Sequence, residues 1–192
     1  MKTLRNFLLP LFLLASLAPA ATLSYNVSVN TSGLTGGQVI VDLLCTGVCR
    51  SVEANILNFT PTATLGATGS LFGAPVGDLG TGLLESNNAG GDDFFQAYAF
   101  GGTFSFKLIL SGAGLDPGPN TFDATTFILS LYNSAGDTAL VEPALQIDIA
   151  GDGSISNTTT DRRVSASLIP EPQSVLLLAS GLALLAARRF RK

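Results

Sequence analysis

The stretch TFSFKLIL, residues 103–110, indicates the fold most directly. Its side chains alternate between an apolar set and a mainly polar set, which are Phe104, Phe106, Leu108 and Leu110 on one side and Ser105, Lys107 and Ile109 on the other. A period of two residues places successive side chains on opposite faces of a β-strand. The stretch therefore predicts a strand with one face in a core and the other face toward solvent.

Seven further segments carry strand patterns, and the strict alternation of TLSYNVSVN is the clearest of them. They are TLSYNVSVN (22–30), GQVIVDLL (37–44), VEANILNF (52–59), DFFQAYAF (93–100), TFILSLYN (126–133), ALQIDIA (144–150) and RRVSASL (162–168). Turn-forming clusters such as SNNAGGDD and GAGLDPGPN separate them, and no helical pattern stands between residues 21 and 168. About eight to ten short strands in this length predict an all-β domain, a jelly-roll-like antiparallel β-sandwich over residues 21–168.

The N-terminus has the three parts of a secretory signal peptide. Lys2 and Arg5 precede an apolar run, FLLPLFLLASL (7–17), and the small residues Ala18 and Ala20 follow it. We expect signal peptidase to cleave between Ala20 and Ala21, which assigns residues 1–20 to the signal peptide. An uncleaved anchor is the alternative, but the short run and its small-residue exit disfavour it.

The C-terminus, IPEPQSVLLLASGLALLAARRFRK (169–192), also has three parts in fixed order. Pro170-Glu171-Pro172 keeps the backbone extended, because proline fixes its own φ and restricts the residue before it. The Leu- and Ala-rich run 175–187 predicts a short transmembrane helix. A basic cluster ends the chain and would stay on the cytoplasmic side, namely Arg188, Arg189, Arg191 and Lys192. An ordinary permanent anchor is the alternative interpretation.

These three parts resemble the PEP-CTERM sorting signal of Gram-negative bacteria, which membrane peptidases called exosortases read. The resemblance implies export across the inner membrane, transient anchoring there, and cleavage near Pro170-Glu171-Pro172. It implies signal peptidase, an exosortase and the inner membrane as partners, and the cell surface or an extracellular polysaccharide matrix as destination. The strand segments SYNVSVNTSGLTG, FFQAYAFGGTFSFKLILSG and TFILSLYN are similar to a recurrent group of exported PEP-CTERM proteins, from which no activity carries over. We expect the tail motif to be accessible to a membrane-bound peptidase.

The charge of the region between the two signals excludes some partners. It holds four basic and thirteen acidic residues, a net charge of −9. Nucleic acid binding needs clustered cations, so we expect no nucleic acid partner. The region has no Trp and only Tyr25, Tyr98 and Tyr132 as platforms for a sugar ring, while its phenylalanines mostly stand in apolar alternation and are predicted core residues.

Cys45 and Cys49 are the only cysteines, and export would deliver them to an oxidising compartment. In a straight strand their Cα atoms would stand about 13 Å apart, too far for a bridge. A tight turn at Gly47 could bring them within about 6 Å. We predict a disulfide that closes a strand end or hairpin tip. Free thiols are the alternative, and a redox enzyme is disfavoured because its usual motif has two intervening residues.

The chain has no histidine, which excludes Ser-His-Asp and Cys-His catalysis and the commonest zinc sites. Asp92-Asp93 beside Glu85 is the densest acidic spot, but adjacent strand residues face opposite ways, so a turn role for the aspartates is favoured over glycoside hydrolysis. The stretch 148–154, DIAGDGS, lacks ligands that a calcium loop needs, and Asp152-Gly153 is better explained as a hairpin turn. We therefore expect no metal site and no cofactor.

Function follows mainly from the terminal signals. We expect an exported surface or matrix protein, processed by an exosortase, with a structural or adhesive role and without catalytic residues. One alternative is a carbohydrate-binding module for the cell's own exopolysaccharide. A second is a hydrolase that uses carboxylates.

Overall fold

A computed structural model describes residues 21–169 of the chain, except the side chains of residues 157 and 159. These residues form twelve β-strands: β1 Thr22–Asn30, β2 Gly37–Cys45, β3 Glu53–Thr60, β4 Leu65–Gly69, β5 Val76–Asp78, β6 Gly82–Ser86, β7 Gly91–Tyr98, β8 Thr103–Ser111, β9 Thr125–Tyr132, β10 Ala139–Ile149, β11 Ile155–Thr160 and β12 Val164–Ile169. Helical structure within the described region is limited to two 3₁₀ turns, Asn88–Gly90 and Ala113–Leu115.

The strands build two antiparallel sheets of six strands each, which we name sheet A and sheet B. Sheet A has the order β12-β1-β8-β3-β6-β5, and sheet B has the order β11-β10-β9-β2-β7-β4. Contacts of β6 with β7 and of β12 with both β10 and β11 place the matching edges of the two sheets over each other. The predicted antiparallel β-sandwich is confirmed.

The core lies between the sheets and consists of the apolar half of each alternating strand. In TFSFKLILS the four predicted core residues are at most 4 % exposed. Sheet A contributes Val27, Val29, Ile56, Phe104, Phe106, Leu108 and Leu110, and sheet B contributes Val39, Val41, Leu43, Phe127, Leu129, Leu131, Leu145 and Ile147. Burial of these side chains is the main source of stability, since removing apolar surface from water is the dominant favourable contribution to folding.

Four strands are absent from the eight predicted segments. Strand β11 was indicated only through the hairpin turn at Asp152-Gly153, and β4, β5 and β6 were not indicated at all. Strand β4 reads LGATG, and β5 is three residues long, so neither carries enough alternating apolar residues to be recognised. Strand β6, GLLES, contains two adjacent leucines followed by the buried acid Glu85. Three phenylalanines also differ from the predicted core role. Phe72 is 45 % and Phe122 is 37 % exposed, and Phe95 lies on the outer face of sheet B, outside the core cluster.

The first and last strands are neighbours. Strand β12 runs antiparallel to β1, and Ile169 lies opposite Ser24. The described chain therefore enters and leaves the sandwich at the same end. Strand β12 includes Ile169, one residue beyond the predicted end of the domain. Among the described residues, no helix has the length and apolarity needed to cross a bilayer.

Candidate functional site

Asp92 and Asp93 face opposite sides of sheet B, as their adjacent positions on a strand predict. Asp92 lies opposite the core residue Leu43 and points inward, whereas Asp93 lies opposite Asp42 on the outer face. Two backbone N–H groups donate to Asp92, from Ala74 to Oδ1 at 2.8 Å and from Ser86 to Oδ2 at 2.7 Å. The carboxylate thus joins the connection after β4 to the end of β6.

Asp93 holds the connection between β4 and β5 from the other side. Its Oδ1 accepts hydrogen bonds from the backbone N–H of Leu71, from that of Phe72 at 3.0 Å and from Ser70 Oγ at 3.2 Å. The residue is only 3 % exposed because this connection covers it. The predicted turn position is wrong, because both aspartates lie inside β7. Both do accept backbone hydrogen bonds, as a turn role would require, but from a connection that the sequence did not indicate.

Glu85 is the buried acid of β6 and lies inside the sandwich. Its register partner Ala54 and its neighbour Leu83 both face the core. The side chain is 1 % exposed, and neither carboxyl oxygen has a hydrogen-bond partner among the described residues. Burial, and then the charges of Asp42, Asp92 and Asp93, raise the pKa of Glu85 to about 9. At neutral pH the group is therefore protonated and uncharged. The alternation of Leu83 and Glu85 in β6 was the one signal that could have indicated this burial.

The outer face of sheet B carries an acidic region, which we name the acidic face and define by Asp42, Asp93 and Glu142. Burial, and then the charges of Asp93 and Glu142, raise the pKa of Asp42 to about 6. Tyr132 donates its hydroxyl to Glu142 Oε2 at 2.6 Å, which raises the pKa of Tyr132 to about 12. Strand pairing, which sequence alone does not give, brings these acids together from β2, β7 and β10.

The outer face of sheet A differs in chemistry and carries a groove of about 330 Å³. We name it the polar groove; its polar lining residues are Asn26, Ser28, Asn58, Ser105, Lys107, Ser165 and Ser167. Residues of β12, β1 and β8 lie side by side here in two rows. In one row Ser28 lies between Ser165 and Ser105. In the other row Asn26 lies between Ser167 and Lys107. All of the polar lining residues except Asn58 belong to the polar half of the alternating pattern, and Asn58 is exposed where the register between β3 and β8 shifts. The alternation alone predicts only that these side chains face solvent, since their convergence depends on the register between strands.

The stretch 148–154 forms the predicted hairpin turn between β10 and β11. Asp152 Oδ1 accepts from the backbone N–H of Ser154 at 2.9 Å and from its hydroxyl at 2.6 Å. Gly153 has a φ of +86°, a left-handed conformation that glycine adopts readily. Asp148 accepts instead from Thr126 Oγ1 and Gln146 Nε2. Within residues 21–169, no three or more acidic or cysteine side chains are grouped so that they could hold a metal ion.

The predicted disulfide between Cys45 and Cys49 is present, with its Cα atoms 6.1 Å apart. It closes the turn at the end of β2. Asp123 fixes this turn by accepting from the backbone N–H of Val48 at 2.8 Å and by donating its own N–H to the carbonyl oxygen of Val48 at 2.9 Å. A side chain at Gly47 would collide with the Asp123 carboxylate. Glycine is therefore needed here for close approach.

Most residues of the predicted processing sites lie outside the described region. They are Ala18 and Ala20 at the N-terminal cleavage site, Pro170, Glu171 and Pro172, and the basic residues Arg188, Arg189, Arg191 and Lys192. The described chain begins at Ala21. It ends at Ile169, whose pairing with Ser24 means that a hydrogen-bonded strand reaches directly to the predicted motif. Ser167 and Leu168 are exposed, while the backbone that precedes the motif is held by its pairing with β1.

Comparison of the chain with protein families, curated proteins and solved structures finds no match.

Proposed function

We propose that the chain is an exported cell-surface or extracellular-matrix protein of a Gram-negative bacterium, with a structural or adhesive role. In this proposal signal peptidase removes residues 1–20, and the C-terminal segment 169–192 anchors the protein in the inner membrane until an exosortase processes it at Pro170-Glu171-Pro172. The observation that carries the proposal is the ordered tail of motif, apolar run and basic cluster.

Two features of the described domain support this proposal. Its β1 and β12 are paired, so the segments that precede and follow the domain leave from one end, and both could reach the same membrane. The Cys45–Cys49 disulfide fits a compartment outside the reducing cytoplasm. The pairings of β1 with β8, β2 with β7 and β3 with β6 support the jelly-roll-like form of the proposed sandwich.

Intact-mass spectrometry of the envelope-bound and released protein tests the processing step in a host that has an exosortase. We expect the released form to end close to Pro170-Glu171-Pro172 and to lack residues 175–192. Glu171→Ala should slow this processing while the domain stays folded. The exposed acid Glu53, changed to Ala, is the matched control and should leave processing unchanged. A protein that retains residues 175–192 in such a host would show that the tail is a permanent anchor.

Deletion of the basic cluster separates anchoring from processing. Without Arg188, Arg189, Arg191 and Lys192 the tail loses the charges that resist passage through the membrane. We expect more unprocessed protein outside the membrane fraction than in the full-length chain. Unchanged retention would show that the apolar run alone is sufficient.

A second candidate function is binding of the cell's own exopolysaccharide, and the polar groove is the observation that favours it. Its hydroxyl and amide groups can exchange hydrogen bonds with sugar hydroxyls, and its volume of about 330 Å³ is at the small end of ligand sites. Calorimetric titration with that polysaccharide tests it. Asn26→Ala with Ser167→Ala should abolish binding, whereas Gln38→Ala on sheet B should not. Equal binding by both variants would remove the groove from the proposal.

A hydrolase that uses Glu85 has the least support. The residue is 1 % exposed, so a polymeric substrate would have to open the sandwich to reach it.

A further inference from the structure

The carboxylate of Asp116 lies next to the backbone nitrogen of Ala21, the first residue of the described chain. Its Oδ1 accepts a hydrogen bond from the nitrogen of Ala21 at 3.0 Å, although 95 residues separate the two in sequence. Ala21 immediately precedes β1 and packs partly buried against the core. The bond therefore connects the start of the domain to the loop that follows β8.

The backbone of Asp116 is held in place from three directions. Its N–H donates to the carbonyl oxygen of Ala113, which closes the 3₁₀ turn Ala113–Leu115. Its carbonyl oxygen accepts from Arg50 Nη1 at 2.5 Å. Gly153 packs so closely against the same carbonyl that an added side chain would collide with it. These contacts fix the backbone that carries the carboxylate, and none of them involves Ala21.

Removal of a signal peptide would change the chemistry of the Ala21 nitrogen. In the precursor this atom belongs to an amide and offers one uncharged N–H. Hydrolysis adds water across the Ala20–Ala21 bond, so that Ala20 leaves with a carboxylate and the Ala21 nitrogen becomes an ammonium group at neutral pH. Hydrogen bonds between charged partners are shorter and stronger than those between neutral ones.

We propose that Asp116 is a binding site for the α-ammonium group of Ala21, and that signal-peptide removal creates an ion pair which fastens β1 to the loop after β8. The inference rests on the proposed cleavage between Ala20 and Ala21. It also depends on the position of the cut, because each added or removed residue moves the ammonium by about 3.3 Å along the strand.

The charged groups around this end of β1 are compatible with the pair. Arg50 faces the carbonyl oxygen of Asp116, with no bond to its carboxylate among the described contacts. The loop with Asp152 approaches through a backbone carbonyl, which accepts from Gly118. Glu53 lies opposite Ser111 on the far side of β8 and is exposed. On the other side of β1, the adjoining end of β12, residues 165–169, carries no charge.

The test labels the α-amine of the exported full-length protein with a limiting amine reagent at pH 7, followed by peptide mapping. A paired ammonium reacts more slowly, so the native protein should label about threefold more slowly at Ala21 than the same protein in urea, in line with a partly exposed ion pair. Asp116→Asn keeps an oxygen acceptor but removes the charge, and should restore the faster rate. Asp152→Asn is the matched control in a neighbouring loop and should not.

The outcomes distinguish a failure of the ion pair from a failure of the cleavage prediction on which it rests. A mature chain that begins at a residue other than Ala21 overturns both the cleavage prediction and the pair. A chain that begins at Ala21, but labels equally fast in its native and urea-unfolded forms, overturns the pair alone. If Asp116→Asn does not fold, labelling of the native wild-type protein at low and high salt decides the question, because salt weakens an exposed ion pair but not the shielding of Ala21 by burial. A labelling rate that does not rise with salt overturns the pair.

Discussion

Asp93 and Glu85 show two fates of a buried carboxyl group in one domain. Asp93, beneath the connection between β4 and β5, is 3 % exposed and accepts three hydrogen bonds. Glu85, inside the sandwich, is 1 % exposed and accepts none among the described residues, and its pKa is raised to about 9. The difference teaches that equal depth does not give equal surroundings, because backbone N–H groups reach the carboxyl group of Asp93 and none of the described residues supplies one to Glu85.

The largest effect is expected when Asp93, the hydrogen-bonded carboxyl group of the two, is removed. Asp93→Ala leaves the N–H groups of Leu71 and Phe72 without their acceptor and frees the connection between β4 and β5. We expect a loss of about 4 kcal/mol in the free energy of unfolding. Urea denaturation of the mature protein measures it, with Glu53→Ala as an exposed-acid control that should change stability little. A loss below about 1 kcal/mol in the free energy of unfolding would show that the connection between β4 and β5 keeps its conformation without Asp93.

The pH dependence of stability reports on Glu85, whose carboxyl group has no hydrogen-bond partner among the described residues. The unfolded chain releases the Glu85 proton near its ordinary pKa of 4.5, whereas the folded state holds it up to about 9. Between these values folding takes up a proton, so stability falls as the pH rises, by at most about 1.4 kcal/mol per pH unit. From pH 6.5 to pH 8.5, above the raised pKa of Asp42, we expect a fall of about 3 kcal/mol.

Glu85→Gln tests whether that slope belongs to Glu85, since glutamine has a similar shape and does not titrate in this range. The slope between pH 6.5 and pH 8.5 should largely disappear, and it should persist in Glu53→Gln, the exposed control. A slope that survives in Glu85→Gln would place the proton uptake on another group.

The smallest effect is expected at the disulfide, which stabilises without involving either carboxyl group. Cys45→Ser with Cys49→Ser opens a very short loop, so little conformational entropy returns to the unfolded chain. We expect a loss of about 2 kcal/mol in unfolding free energy and no change in the pH slope. A changed slope would mean that the turn after β2 and the interior around Glu85 are coupled.

The sequence predicts the long central strands well because each carries its own alternating pattern. The boundaries of β1 were predicted without error, and those of β2 and β8 to within one residue, from their own residues alone. Strands β4 and β5 could not be predicted, because pairing with β7 and β6 defines them. The connection between them is held by hydrogen bonds that its backbone donates to Asp92 and Asp93. The short, glycine-containing segments of β4 and β5 carry little local signal.

The candidate sites are harder to predict than the strands for a related reason. Opposite orientations of Asp92 and Asp93 follow from their adjacent positions, and the disulfide follows from spacing and compartment. The polar groove and the acidic face require the register between strands that are up to about 140 residues apart in the chain. The bond from Ala21 to Asp116 has no local signal in the sequence.

The edge position of β12 has a mechanical consequence. In sheet A this strand is held by β1 through six residue pairs, from Ser24 opposite Ile169 to Val29 opposite Val164. A force applied at Ile169 along the strand loads all six pairs together in shear. A force applied sideways opens them one after another, beginning with Ser24 and Ile169. A tether attached at this point would resist lengthwise pulling and yield to peeling.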